Sequence, residues 1–216
     1  MIVVVSGSKR TGTSMMVRAL YHASTGLDLL VAPSMEQANP EHEGYQPNPN
    51  GLYEVGLVRY LEPRFLRKIP DNSILKILYD GLPNLPKGDY KVIFMERDPD
   101  EITASSERVE KHWDAIDHHF DGDKCKVEHK SGLEMAKMLP FCSLRPYNQD
   151  DIDHVLGIMQ TRWDVDLVRV SYNDVINDPL TAFKRIKHNG LGKVRFEFDV
   201  EKAASLVDPQ LYRSRS

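Results

Sequence analysis

The chain has 216 residues, 28 Lys and Arg against 32 Asp and Glu, a formal net charge of −4 and 41% hydrophobic residues. Such a composition builds a sizeable core and excludes disorder as the main state, and the length fits a single α/β domain over 1–216. The acidic balance gives no global attraction to nucleic acid, no apolar run of about 18 residues is present to span a membrane, and Cys125 and Cys142 form neither a disulfide framework nor a zinc pattern.

Met1 leads directly into Ile2-Val3-Val4-Val5 with no basic segment before an apolar stretch, so no secretory signal is expected and a cytoplasmic location is. That β-branched run, followed at once by Ser6-Gly7, predicts a strand buried on both faces of a parallel sheet. A helix is expected from about Thr13, carrying Met15, Met16, Ala19 and Leu20 on its spacing. Residues 32–51 are rich in Pro, Asn, Glu and Gly without a period and read as a long functional loop. Leu52, Val55, Val58, Leu61 and Phe65 then recur at helical intervals, with Pro63 kinking the helix. Ile74 to Leu78 and Lys91 to Met95 read as strands, the latter leading into a helix from Pro99 to about His119 capped by Asp98 or Asp100. The pattern weakens over 121–148, which is read as an insertion or lid. A helix over Asp150 to Trp163, a strand over Val165 to Val170 and a helix over Pro179 to His188 complete a three-layer arrangement, a parallel sheet flanked by helices.

Between the first strand and first helix stands Gly7-Ser8-Lys9-Arg10-Thr11-Gly12-Thr13-Ser14. Two glycines there allow a tight turn whose N–H groups, with the helix N-terminus, cradle an anion. A nucleotide-hydrolysing loop reads G-x-x-x-x-G-K followed by Ser or Thr, with the lysine on the β/γ-phosphates. Here Thr13 stands where that lysine belongs, and the cations are Lys9 and Arg10. The same letters also serve as a plain strand-to-helix connection with solvated charges.

The loop resembles the 5′-phosphosulfate loop of the PAPS-dependent sulfotransferases, usually G-x-P-K/R-S/T-G-T/S-T/S, departing from it at Lys9 where proline is common. Val92 to Pro99 through Ser105 is similar to the family's 3′-phosphate motif, a strand ending in Arg with Ser eight residues on, here Arg97 and Ser105. Leu167 to Val175 with Asp178-Pro179 resembles the Y-E-D-L…D-P element around Tyr172, and Val207 to Arg213 the arginine-bearing tail of bacterial members. The resemblance implies a P-loop-containing sulfotransferase-like fold. It implies PAPS as co-substrate held by Ser8, Lys9, Arg10, Thr11, Gly12, Thr13, Ser14, Arg97, Ser105, Tyr172 and Arg213, a small-molecule or glycan acceptor, and no metal.

PAPS carries a phosphosulfate and a separate 3′-phosphate, so its site needs two anion holders. Arg10 with the loop offers one, and Arg97 with Ser105 offers a charge-assisted second. Arg97 also has an alternative as the ion-pair partner of Glu96, Asp98 or Glu101. For the transfer, Arg10 is the first choice to balance charge on the leaving oxygen, and Lys76 is a candidate to face the sulfuryl group. Many cytosolic members place a catalytic histidine where this chain has Leu78; Glu54, in a segment like N-P-x-G-F/Y-F/W/Y-E, is the leading base and Glu36 the second. The alternative for Glu54 is a first-turn glutamate complementing a helix dipole, and for Glu36 a solvated loop charge. Trp113, His118, His119, Asp121, Asp123 and His129 read as a solvated helix end or lid, since adjacent helical histidines diverge by about 100°. A nucleotide kinase or hydrolase, and a non-catalytic nucleotide-binding protein of the same fold, are the competing readings.

Overall fold

A computed structural model of the chain describes residues 1–31, 50, 53, 67–119, 148–188 and 196–209. Five strands, β1 (Ile2–Gly7), β2 (Asp28–Leu30), β3 (Ser73–Lys76), β4 (Tyr90–Glu96) and β5 (Val165–Ser171), form one all-parallel sheet in the order β2-β3-β1-β4-β5. The described α-helices are α1 (Thr13–Ala23), α2 (Pro99–His119), α3 (Gln149–Thr161), α4 (Tyr172–Asn177), α5 (Pro179–His188) and α6 (Val200–Ser205).

Strand β1 sits centrally because every one of its residues is buried, as a β-branched run without polar alternation requires. Val3 and Val5 face one core with Met16, Leu20, Val168, Val170 and Phe183, under α1, α5 and α6. Ile2 and Val4 face a second core with Leu75, Val92, Phe94, Leu156 and Met159, under α3. Burying each such aliphatic side chain contributes roughly 1.5–3 kcal/mol. An ionised group at Val4, which is 0% exposed, therefore breaks the sheet at its centre.

The anticipated strands at β1, β3, β4 and β5 and helices at α1, α2, α3 and α5 are all present. Differences lie at short elements. The three-residue edge strand β2 is too brief to set a period. The strand expected over Ile74 to Leu78 ends at Lys76, because Tyr79–Asn84 turns as a 3-10 helix. Asp98, not Asp100, caps α2, its Oδ1 accepting from the N–H groups of Asp100 at 2.9 Å and Glu101 at 3.3 Å. Asn148 caps α3 in the same way. Tyr172 and Asn173 open a short helix of their own, capped by Ser171. The helix expected over 52–65, most of loop 32–51, and insertion residues 121–147 lie outside the described residues. No described helix is long and apolar enough to cross a membrane.

Candidate functional site

The strand order fixes where a ligand fits. From β1 the chain moves out to β2, returns to β3, and then crosses β1 to β4 on the other side. The connections leaving β1 toward β2 and leaving β4 toward β5 thus diverge, and in an open parallel sheet the crevice outside the carboxyl ends at such a reversal receives ligands. The glycine loop leaves β1 there, and Arg97 follows β4 on the neighbouring edge.

Both loop glycines are dictated by close approach. A Cβ on Gly7 would lie 2.6 Å from the Met95 carbonyl oxygen and 2.5 Å from Thr11 Oγ1. Gly12 has φ 85°, and a Cβ there would lie 2.4 Å from the Tyr172 ring. Inside the loop Thr11 Oγ1 donates to the Ser8 carbonyl at 2.8 Å and Ser8 Oγ to the Lys9 carbonyl at 3.2 Å, so these hydroxyls stiffen the turn. Arg10 sits at φ 65°, a left-handed conformation costing a non-glycine residue roughly 1–2 kcal/mol. Gly12 caps α1 without a side chain, and the first turn of α1 holds no acidic residue. Its N–H groups and positive dipole end thus face the crevice without a fixed carboxylate or amide to cap them, the arrangement an anion requires.

Arg97 is where the elements meet. Its Nη1 donates to the Arg10 carbonyl at 2.9 Å, its Nε to Glu101 Oε2 at 2.9 Å, and its guanidinium lies 4.4 Å from the centroid of the Tyr172 ring. The first of these bonds holds Arg10 in its left-handed conformation. The Arg10 side chain crosses to α2, where its Nε donates to Ser105 Oγ at 3.0 Å. Ser105, one residue more than a double turn beyond Arg97, thus shares a cation with the loop. On the other flank, Lys76 at the end of β3 is 4% exposed and its Nζ donates to Ser14 Oγ at 3.0 Å. A buried ammonium therefore reaches the first turn of α1 from a strand 62 residues away, beside the position where Thr13 replaces the loop lysine.

Next to the loop lies a cavity of about 270 Å³ over Phe94 and Ile152, lined by Ser8, Thr11, Arg97 and Asn173 among others. Arg169 and Glu96 form an ion pair on its wall, and Asn173 Oδ1 is buried without a hydrogen-bond partner.

Of the residues singled out in the sequence, Ser8, Thr11 and Arg97 line the cavity, Arg10 bonds Ser105 and Arg97, Tyr172 packs against Gly12 and Arg97, Lys76 bonds Ser14, and Lys9 and Thr13 lie in the same loop and helix start. Tyr172 is 7% exposed and serves as a wall behind Gly12 and Arg97. The open choice of ion-pair partner for Arg97 falls to Glu101, while Glu96 pairs with Arg169. Glu36, Glu54 and Arg213 lie outside the described residues; Tyr53, preceding Glu54, is buried in the core under α1. Sequence reading passed over Arg169 and Gln149 at the cavity. The alternation Leu167-Val168-Arg169-Val170 carried the signal for the first, since it sets Arg169 on the face opposite the two valines. Among the described residues no group of three His, Cys, Asp or Glu is placed to hold a metal ion. Compared with protein-family models and with curated protein sequences, the chain gives no match.

Proposed function

We propose that the chain is a sulfotransferase that moves a sulfuryl group from PAPS to a hydroxyl or amine of a small-molecule or glycan acceptor. The observation that supports this reading is the contact of both Arg97 and Ser105 with Arg10 of the glycine loop, which brings their cation and hydroxyl beside the loop as a second set of anion-binding groups. A single-phosphate ligand has no use for the second set. PAPS, when bound, supplies the activated sulfuryl group and a 5′-phosphate leaving group.

The chain's own residues then divide the work. The loop N–H groups, Lys9 and Arg10 balance negative charge on the leaving 5′-phosphate oxygen. Lys76, held against Ser14, adds a cation on the acceptor side of the loop. Arg97 and the Ser105 hydroxyl bind the 3′-phosphate and fix the nucleotide in line. Glu54 removes the acceptor proton, with Glu36 as the alternative base, an assignment that rests on the resemblance of the segment around Glu54. Arg10 and the loop occupy the role that magnesium has in phosphoryl transfer, so the transfer runs without a metal.

Thermal melts with PAP, ADP and ATP test the reading. PAP at about 100 times its dissociation constant stabilises the fold by about 2.7 kcal/mol, and ADP at the same concentration by less. Equal shifts with PAP and ADP remove the 3′-phosphate assignment. Turnover of ATP with release of the γ-phosphate, dependent on Mg²⁺, transfers the chain to the kinase or hydrolase class.

A further inference from the structure

We propose that Glu101 is a positioning residue for nucleotide recognition: through its ion pair it orients the Arg97 guanidinium toward a 3′-phosphate and thereby sets the preference for a nucleotide that bears one. The proposal rests on the sulfotransferase reading of the crevice.

A guanidinium recognises phosphate through a rigid planar fork, so its orientation matters as much as its charge. Arg97 is held by Nε on Glu101 Oε2 at 2.9 Å, by Nη1 on the Arg10 carbonyl at 2.9 Å, and by its face on the Tyr172 ring at 4.4 Å. The two bonds and the stack lie in different directions and together remove rotation about the side-chain torsions. Of these, Glu101 supplies a charged partner. The Arg97 side chain is 6% exposed and that of Glu101 23%, so the pair is poorly screened and its geometry is held more firmly than that of a surface pair.

Glu101 is itself placed by the helix it begins. Asp98 Oδ1 accepts from its N–H at 3.3 Å, which locks the first turn of α2, and a carboxylate in that turn is favoured by the helix dipole. Because Arg97 Nη1 bonds the Arg10 carbonyl independently of Glu101, losing Glu101 releases the Nε edge of the guanidinium and leaves the loop held. Asp100 stands in the same first turn and is exposed, which makes it an internal control. It shares the dipole interaction with Glu101, so Asp100→Asn reproduces a purely helical effect.

The experiment is calorimetric titration of PAP and ADP into the wild type, Glu101→Gln, Glu101→Asp and Asp100→Asn. Replacing a charge-assisted bond by a neutral one weakens PAP binding by about tenfold in Glu101→Gln, equivalent to about 1.4 kcal/mol. ADP binding stays within about twofold on that scale. Glu101→Asp keeps the charge but draws it back by one methylene. It gives an intermediate loss of preference and carries the test by itself if the glutamine variant does not fold. Asp100→Asn leaves the preference as in the wild type. A wild type that prefers PAP, combined with Glu101 variants that keep the full preference or lose PAP and ADP binding equally, overturns this role while the sulfotransferase reading stands. A wild type with no preference overturns both.

Discussion

Among the described residues, the charges buried where the strands begin are matched in pairs, whereas at the end where the strands finish, backbone and cations are arranged around a space. Lys91 and Asp166 are register partners on β4 and β5, each 3% exposed, and bond at 2.7 Å. Asp164 accepts from Arg162 Nη2 at 2.7 Å and from the Gly88 N–H at 2.9 Å, and Arg162 also donates to the carbonyls of Leu85 and Pro86, both at 2.7 Å. These contacts stitch the chain entering β4 to the chain entering β5. At the opposite end α1 starts on a glycine, while α2 to α6 start on Asp98, Asn148, Ser171, Asp178 and Asp199 side chains. Arg10 is left-handed there, and the buried Lys76 ammonium donates to the Ser14 hydroxyl. Stability is concentrated at one end and local backbone cost at the other, where the proposed function places the anion that repays it.

The largest effect is expected at the loop. Gly12→Ala forces a non-glycine residue to φ 85° and drives its Cβ into the Tyr172 ring. Left-handed strain and overpacking together cost about 3 kcal/mol. Displacing Tyr172 also removes the face on which Arg97 rests, so PAP binding falls with stability. Urea denaturation measures the first and calorimetry the second. A variant with wild-type stability and PAP affinity shows that the loop does not have this conformation.

The other end is probed by acid. Hydrogen bonding from Arg162, with smaller help from the Gly88 N–H, holds the Asp164 carboxyl down from 3.8 to about 2. A carboxylate with a depressed folded pKa adds stability above its unfolded value that is lost as the pH falls through the folded one. The contribution of Asp164, about 2 kcal/mol, is therefore complete above about pH 4 to 5 and gone near pH 2. Denaturation of the wild type and Asp164→Asn over that window gives a stability difference that shrinks with acid. A difference that does not change with pH removes the Arg162–Asp164 pair as a source of stability at this end.

What could be read from the sequence differs between the two ends for a physical reason. The buried run Ile2 to Val5 and the boundaries of α5 at Pro179 and His188 follow from local pattern and were legible in it. Arg97 and Ser105 were singled out only through the resemblance to a 3′-phosphate motif, and in the fold each of them contacts Arg10. The contacts that give the crevice its shape were not legible in the sequence. Arg97 bonds the Arg10 carbonyl across 87 positions, and Arg10 bonds Ser105 across 95. No periodicity encodes such pairings. Glu101 was visible as one of three acidic neighbours of Arg97, but choosing among them needed the turn set by Asp98 and the pull of Arg169 on Glu96.

The smallest expected effect sharpens the comparison through the same substitution made elsewhere. Gly157 lies within α3, on the outer surface of the layer that covers the second core, and an added Cβ meets nothing within 4 Å. Its backbone is helical, so alanine fits without strain and removes conformations available to glycine in the unfolded chain. Gly157→Ala should therefore raise stability by about 0.5–1 kcal/mol, while Gly12→Ala lowers it severalfold more. For a chain of this size that gain corresponds to a rise in Tm of about 1–4 °C. PAP affinity should stay unchanged, because Gly157 is exposed and lies more than a turn beyond Ile152, the nearer of the two α3 residues that line the cavity. A loss of stability in Gly157→Ala shows that this surface of α3 is covered, and the division between a permissive scaffold and a constrained loop then fails on the scaffold side.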